Sequence, residues 1–308
     1  MITAFVLSGG GSLGAVQVGM LQALGERGVV PDLLVGTSAG AINAAFVGGH
    51  GMGTAALLEL AGLWRSLRRR DLFALRPLHG VLAVAGVRPS LFSAEPLRRL
   101  VEANLGYGDL LDASIELHLV TTDLSSGREV MLSSGDAASA VVASAAIPGV
   151  FPPVWREGVA CSSTAASPSM PRSVTPLGAE PTRSICCRPV SLARLGAAPT
   201  TAVGVALQAL TLLSQQQLIG EVARYNGPAK LKVLPPLCPL GVSAADFSHA
   251  DELIARARTA TGSWIDAGGP DLPTPQRFLS MHDHRKPRAI ARQDLDRANR
   301  RQTASSPH

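Results

Sequence analysis

The sequence predicts an α/β fold with a mostly parallel central sheet, and three observations lead to this prediction. Short apolar runs typical of buried strands alternate with helical patterns, the order found in sheets that helices cover on both faces. The run over residues 4–7 is followed by a glycine-rich loop and a helix. The run over 33–35 is followed by a glycine-flanked turn and a second helix.

The N-terminal elements follow from periodicity. Apolar residues at positions 16, 20, 21 and 24 share one face of a helix over 15–26, and Gly28 is a stop signal. The turn after 33–35 leads into a helix through 41–45. A further helix covers 53–70 and ends in an arginine-rich run over 65–70, which we interpret as a solvated face.

The later elements complete the alternation. An apolar stretch over 78–87 is interpreted as core packing in a cap, and Ser93 can cap a helix through Leu97, Leu100 and Val101. Residues 115–120 alternate with period two and predict a strand, with 129–132 as its neighbour. The remaining segments are predicted as a helix over 201–224, a strand over 231–234 and an amphipathic helix over 246–267.

The strongest chemical motif is Gly-Thr-Ser-Ala-Gly at residues 36–40. Glycines two positions before and after the serine allow a sharp strand-to-helix turn without a Cβ clash. Such a turn exposes the hydroxyl and aims helix N-terminal amides at the group that it attacks. We therefore predict that Ser38 is a nucleophile and that Gly36, Thr37, Ala39 and Gly40 form the nucleophile elbow.

The earlier glycine-rich loop offers free backbone N–H groups. Its spacing, Gly9-x-Gly11-x-x-Gly14, also matches a dinucleotide fingerprint, in which Asp32 would be the acidic ribose ligand. Asp32 is better explained as the residue that leads into the strand over 33–35. Because amides of this kind suit an oxyanion as well as a phosphate, a second loop that carries a serine favours acyl transfer.

These two loops and a third segment, Ser-Ala-Ala-Ile-Pro-Gly-Val-Phe-Pro-Pro at 144–153, resemble the patatin-like phospholipases. The resemblance covers about residues 1–158 and 200–270. It implies a three-layer α/β/α sandwich and a lipid acyl hydrolase that uses a Ser–Asp dyad without histidine and without a cofactor. The seven histidines agree, because none is an obvious triad base and most are interpreted as surface or loop residues. The stretch over 78–87 then has a second interpretation, as a wall for the acyl chain.

The resemblance also assigns roles to single residues. Ser38 would attack an ester carbonyl of a lipid, and water would release the fatty acid from the acyl-serine. The oxyanion hole would be formed by the amides of Gly10 and Gly11, with Gly9 and Gly14 as its other members. A basic residue often stands in this family where the chain has Leu13, so one cation near the oxyanion or lipid phosphate is absent.

One expected residue, the dyad aspartate, is missing. In the family it lies in an Asp-Gly-Gly or Asp-Gly-Ala turn soon after the equivalent of 151–154, whereas residues 160–199 here contain no Asp and no aromatic residue. Asp123 and Asp136 are the nearest substitutes, but a strand-end turn and a helix N-cap are better roles for them. A serine needs a base to take its proton. The chain as written is therefore expected to be a hydrolase with a strongly reduced catalytic rate.

We interpret residues 160–198 as translated out of frame. Only three of the 28 basic residues are lysine, and this bias toward arginine is typical of a GC-rich coding sequence. With G/C-ending codons for 161–171, the shifted frame gives Leu-Val-Asp-Gly-Gly-Val-Ala-Val-Asp-Ala, and its first aspartate straddles the codons of Ser163 and Thr164. At the same offset, 183–190 can give Ile-Tyr-Leu-Leu-Pro-Thr-Gly, which resembles the strand after the dyad aspartate. As written, the segment would lack this core strand, and a disordered Ser/Pro-rich insertion is the alternative.

Length and composition fit one hydrolase domain over 1–272 and a basic, disordered tail over 273–308. The formal net charge is +5, and residues 283–308 hold seven Arg or Lys against three Asp. The four cysteines show neither disulfide nor zinc spacing, so no metal is expected. No basic-plus-aromatic pattern indicates nucleic acid.

The expected partner is a lipid ester substrate. Without a secretory signal or a long apolar run, the expected location is cytoplasmic, with attachment to a membrane surface as the alternative. The arginine-rich run and the tail could meet lipid phosphate, although solvation is the preferred interpretation. Two other functions stay open, a catalytically inactive lipid-binding or regulatory relic and a dinucleotide-binding protein.

Overall fold

The computed structural model describes residues 2–73, 89–156, 158–162, 182–187, 229–237 and 240–271, with scattered residues between 205 and 226. Three segments discussed above lie outside the described residues: the apolar stretch over 78–87, most of 163–199, and the tail over 273–308.

The described elements follow the predicted order. The helices are α1 (Gly14–Gly25), α2 (Ala39–His50), α3 (Thr54–Ser66), α4 (Arg69–Leu72), α5 (Glu95–Leu105), α6 (Ala137–Ala145) and α7 (Ala250–Asp266). The strands are β1 (Thr3–Leu7), β2 (Leu33–Gly36), β3 (Glu116–Asp123), β4 (Glu129–Leu132), β5 (Val154–Arg156), β6 (Val159–Ser162), β7 (Arg183–Cys187) and β8 (Lys230–Val233). Described residues between 205 and 224 are helical. None of the described helices is long and apolar enough to span a bilayer.

The described strands form one mixed sheet. Its order is β5-β6-β3-β2-β1-β7-β8, and β4 also pairs with β3. The strands β1, β2, β3, β7 and β8 are parallel, and the antiparallel pairings involve β4, β5 and β6. The predicted, mostly parallel sheet is therefore confirmed. The carboxyl ends of β1, β2 and β3 meet at one edge, which we call the site edge.

Both faces of the sheet are covered by helices. Phe5 and Leu7 of β1 belong to a large core that includes residues of α1, α2, α6 and α7. Ala4 and Val6 point to the opposite face, where Val222 from the helical residues before β8 packs against them. Alternation of side chains along the strand explains the division, and the three layers confirm the predicted sandwich.

Helix α1 differs from its predicted single apolar face, because all residues from Gly14 to Leu24 are buried. The helix packs against α7, α3 and α2. Gly19 permits the close approach, since a Cβ there would lie 2.2 Å from the carbonyl oxygen of Ile254. The helix predicted over 53–70 also differs: α3 ends at Ser66, and Leu67 is extended before the short α4.

Strand β7 corrects another expectation. Residues 160–198 as written were expected to lack a core strand, yet β7 lies between β1 and β8. Its register with β1 runs from Thr3↔Arg183 to Leu7↔Cys187, and its last four residues are buried. Parallel partners on both sides pair its backbone, and a strand of five residues is too short for periodicity to reveal. The shifted frame predicts a strand at the same place.

Candidate active site

Ser38 lies at the site edge, between the end of β2 and the first residue of α2. Its φ of 55° makes it the one non-glycine residue with positive φ in the described part of the chain. Backbone strain of this kind is stored at functional sites more often than elsewhere. Ser38 is half-buried, whereas its neighbours Thr37 and Ala39 are buried.

The two flanking glycines are required by space. A Cβ on Gly40 would lie 2.0 Å from the carbonyl oxygen of Leu7, the last residue of β1. A Cβ on Gly36 would lie 2.7 Å from the Cα of Ala41 in the first turn of α2. Any larger residue at either position would push α2 away from the sheet. The strand–turn–helix predicted for this motif is present.

The glycine-rich loop after β1 lies against the serine. A Cβ on Gly9 would lie 3.1 Å from the Cβ of Ser38 and 3.7 Å from its Oγ. Gly11 has a φ of 58°, and a Cβ there would lie 2.4 Å from the carbonyl oxygen of Ala244. Ser12 anchors the loop to the same segment, because its N–H donates to that oxygen at 2.8 Å. Its hydroxyl donates to the carbonyl of Ser243 at 3.0 Å.

The loop amides divide into free and engaged groups. Within the described residues, no acceptor is hydrogen-bonded to the amides of Gly9, Gly10 or Gly11, and the amide of Ala39 at the helix start is likewise unpaired. The amide of Gly14 instead donates to the carbonyl oxygens of Gly11 and Ser12. The expectation that Gly14 belongs to the oxyanion hole is therefore corrected. A Cβ on Gly14 would meet the Trp64 ring at 2.4 Å, so this glycine serves packing.

A buried serine that sequence reasoning missed holds the elbow. The hydroxyl of Ser144, at the end of α6, accepts a hydrogen bond of 3.0 Å from the N–H of Ser38. The same hydroxyl donates to the carbonyl of Val120 in β3 at 2.7 Å. The only signal in the sequence was its place as the first residue of the segment 144–153.

A buried polar network lies beneath the loop. The side-chain amide of Gln17 donates to the carbonyls of Ser8 (2.6 Å) and Cys187 (3.2 Å), and so joins the ends of β1 and β7. Asn43 of α2 donates to the Gln17 side-chain oxygen at 2.8 Å and accepts from the Trp64 indole at 2.7 Å. Satisfied buried networks of this kind rigidify the backbone around them. Sequence reasoning also missed these residues.

The two substitute carboxylates have structural roles. Asp123 accepts hydrogen bonds from Ser126 and Ser125 in the turn after β3, and these bonds hold the pKa of its carboxyl below the ordinary value. Asp136 accepts from the N–H of Ser139 at 3.3 Å as the N-cap of α6 and pairs with Arg98 at 3.0 Å. Both arrangements agree with the preferred interpretations. In the described ranges, no carboxylate or imidazole is hydrogen-bonded to Ser38.

The described histidines are engaged elsewhere. His50 stacks on Phe46 with ring centroids 4.2 Å apart. His118, which lies within the strand predicted over 115–120, is buried on β3, with its Nε2 2.9 Å from the Glu116 carboxylate. It lies on the second face of the sheet, since it pairs in register with the buried Val35.

The dinucleotide interpretation fails on the position of its acidic ligand. Asp32 precedes β2 and accepts a hydrogen bond of 2.8 Å from the N–H of Thr3 at the start of β1. It therefore lies at the edge of the sheet opposite the glycine-rich loop. The described residues contain no group of three side chains able to hold a metal ion.

Strand β6 ends close to the serine site. Ser162, its last residue, pairs with Thr122 of β3 and donates its hydroxyl to the carbonyl of Ala146. Ala146 is two residues beyond Ser144, the partner of the Ser38 amide. Residues 163 and 164, where the shifted frame has its aspartate, follow directly and lie outside the described residues.

A family profile described as patatin-like phospholipase matches residues 5–171, just over half of the chain. The chain belongs to the patatin-like phospholipase family. Family membership supports a lipid hydrolase at the level of the class.

Among curated relatives, an uncharacterised NTE family protein of Mycobacterium tuberculosis is 35% identical over 151 residues, 49% of this chain and 39% of the relative. A lysophospholipase of Aspergillus terreus is 30% identical over 160 residues, 50% of this chain and 10% of the relative. A triacylglycerol lipase of Schizosaccharomyces pombe is 55% identical over 40 residues, 13% of this chain and 8% of the relative. The chain thus spans well under half the length of each of these relatives.

Solved structures show more distant likeness. VipD from Legionella pneumophila superposes with a TM-score of 0.43 at 17% identity, over 86% of this chain and 67% of VipD. ExoU in its complex with SpcU from Pseudomonas aeruginosa gives a TM-score of 0.39 at 20% identity, over 86% of this chain and 51% of ExoU.

Proposed function

We propose that the chain is a lipid acyl hydrolase in which Ser38 is the nucleophile. The observation that carries the proposal is the strained elbow, with the Ser38 side chain against a glycine loop in which the amides of residues 9–11 are unpaired among the described residues. Such amides, held in place before the reaction, stabilise charge that develops in the transition state.

The chemistry follows from these positions. The Ser38 oxygen attacks the ester carbonyl, and its proton passes to a base. The amides of Gly10 and Gly11, with Gly9 beside them, donate to the carbonyl oxygen as it becomes negative. The unpaired amide of Ala39 is a further donor, as is the residue after the nucleophile in other hydrolases that use this turn. Collapse of the intermediate releases the alcohol, and water then frees the fatty acid from the acyl-serine.

The base of the proposed Ser–Asp dyad is an aspartate at position 163 or 164, supplied when the segment is read in the shifted frame. The support is the course of β6, which ends at Ser162 next to the residues that hold the Ser38 amide. The chain as written has Ser163 and Thr164 there, and neither can act as a carboxylate base. We therefore expect the chain with Ser163 and Thr164 to keep Ser38 in its strained position and to hydrolyse esters slowly.

The proposed substrate is a lipid ester presented at a lipid surface. Trp155 on β5 is 70% exposed and Leu124 is 46% exposed. Both flank Ala160, which pairs with Trp155 and whose carbonyl accepts from the Leu124 N–H at 3.0 Å. Leu124 follows the carboxyl end of β3, so this apolar pair lies at the site edge. Indole rings favour the boundary between lipid and water.

A fluorophosphonate probe tests the nucleophile. Labelling of the wild-type chain that disappears in Ser38→Ala and persists in Ser134→Ala, an exposed serine, would support the proposal. Labelling that survives in Ser38→Ala would refute it.

Two variants, Thr164→Asp and Ser163→Asp, test the base. At least one of them should raise ester turnover at least 100-fold over the unsubstituted chain. If neither variant raises turnover, an aspartate at position 163 or 164 is excluded as the base.

A second candidate function is a catalytically inactive lipid-binding or regulatory relic. The absence of a described carboxylate or imidazole bonded to Ser38 favours it. Vesicle flotation separates binding from catalysis. Trp155→Ser should reduce binding to anionic phospholipid vesicles, whereas Leu111→Ser should not, because Leu111 is 72% exposed but precedes β3 at the opposite edge. Vesicle binding without fluorophosphonate labelling would favour the relic.

A further inference from the structure

We propose that Ser144 is a positioning residue, which holds Ser38 in its strained conformation through the Ser38 backbone. The inference rests on the proposed function of Ser38. Ser144 cannot be a second nucleophile, because its side chain is fully buried. Its role must therefore be exerted through the groups that it contacts.

The hydroxyl of Ser144 joins three elements. It accepts from the Ser38 N–H at 3.0 Å and donates to the Val120 carbonyl at 2.7 Å, so α6 and β3 together hold the elbow. Only a group that both accepts and donates can make this bridge, and a hydroxyl is the smallest side chain that does so. Alanine at this position would fit the space and remove both hydrogen bonds.

The bridge completes the restraint of the elbow backbone. The N–H of Thr37 donates to the Leu7 carbonyl at 3.0 Å, and the carbonyl of Ser38 accepts from the N–H of Ala41 at 2.9 Å. The Ser38 N–H lies between these two bonds, and Ser144 supplies its acceptor. A positive φ at a non-glycine residue persists only where the surroundings over-determine it. Without the bridge, Ser38 can relax toward an ordinary φ and carry its Oγ away from the glycine loop.

The bridge also decides which amides serve the oxyanion. Because the Ser38 N–H is already donated to Ser144, it cannot donate to a substrate oxygen. The oxyanion then depends on the loop amides and on Ala39. Ser144 thus sets both the direction of the serine hydroxyl and the membership of the oxyanion hole.

The test compares Ser144→Ala, Ser144→Thr and Ser90→Ala. Ser90 is the matched control, because its buried hydroxyl donates to the Phe92 carbonyl at 3.1 Å and is not bonded to Ser38. The first readout is the rate of fluorophosphonate labelling at Ser38 per folded molecule. We expect the labelling rate to fall about 10- to 100-fold in Ser144→Ala and to be unchanged in Ser90→Ala. A fall of this size is what a small displacement of a reacting atom causes. Ser144→Thr keeps the hydroxyl and should recover most of the rate.

The second readout is hydrogen exchange of the Ser38 amide, which needs no activity. Exchange should be faster in Ser144→Ala and unchanged in Ser90→Ala. Wild-type labelling rates and unchanged exchange in folded Ser144→Ala would overturn the inference while leaving the proposed function intact. Equal labelling losses in Ser144→Ala and Ser90→Ala would also overturn it, since general destabilisation would then suffice. Absent labelling in the wild type would count against the proposed function, and exchange would still decide the bridge.

Discussion

Replacing Gly40 by alanine tests the elbow through a single methyl group. The new Cβ would lie 2.0 Å from the Leu7 carbonyl oxygen and 2.8 Å from the Ser8 carbonyl oxygen. Both are backbone atoms of the chain that enters the glycine loop, so no side-chain rotation relieves the overlap. Ordinary contact requires α2 to move by more than about 1 Å, and overpacking of this kind costs about 1–3 kcal/mol. The helix propensity of alanine offsets about 1 kcal/mol at most.

Gly62→Ala is the matched control for this change. Gly62 also lies within a helix, α3, but a Cβ there would meet nothing within 4 Å. We expect Gly62→Ala to raise the free energy of unfolding by about 0.5–1 kcal/mol, since glycine is unfavourable inside helices. Gly40→Ala should lower it by about 2 kcal/mol.

Urea unfolding followed by circular dichroism measures both free energies of unfolding. Fluorophosphonate labelling of the folded fraction should fall about 100-fold in Gly40→Ala, because a displacement of 1 Å at a reacting group costs about that much. Gly62→Ala should label like the wild type. If Gly40→Ala were as stable and as reactive as Gly62→Ala, the packing argument for the elbow would be refuted.

Three further predictions concern the loop, the network and the turn after β3. Gly9→Ala places a methyl 3.1 Å from the Ser38 Cβ, so we expect labelling to fall about 10-fold or more with little change in urea stability. Asn43→Ala leaves the buried Gln17 oxygen and Trp64 indole without their partner, and should lower the free energy of unfolding by about 2–4 kcal/mol. Asp123→Asn should lower stability at neutral pH, and this loss should vanish in acid. The pKa of Asp123 is lowered in the folded chain, so its contribution is present above the ordinary aspartate pKa of about 4 and is lost as pH falls through the folded value.

Each of these predictions has a contradicting result. Unchanged labelling in Gly9→Ala would show that the loop is not held against the serine. An Asn43→Ala chain with wild-type stability in urea would remove the network from the account of loop rigidity. A stability difference between Asp123→Asn and the wild type that persisted below pH 2 would show that ionisation of Asp123 is not its cause.

The motifs could be interpreted from sequence because their constraints are local. A serine between two glycines, directly after a strand and before a helix, requires the sharp turn whatever surrounds it, and the structure places Ser38 between β2 and α2. The N-cap at Asp136 and the turn at Asp123 were also accessible, since each side chain bonds backbone two or three residues away. The roles of the site residues in chemistry stay predictions.

The sequence alone also determined the alternation of strands and helices, and hence the mostly parallel sheet. Only the tertiary structure showed that α1 is buried on all sides, that Gly14 packs against Trp64 and that β7 lies in the sheet. It alone brought Ser144 to the amide of Ser38 across 106 positions of the chain. Contacts between distant segments depend on which faces meet when the layers close, and the periodicity of a single segment carries no record of its partner.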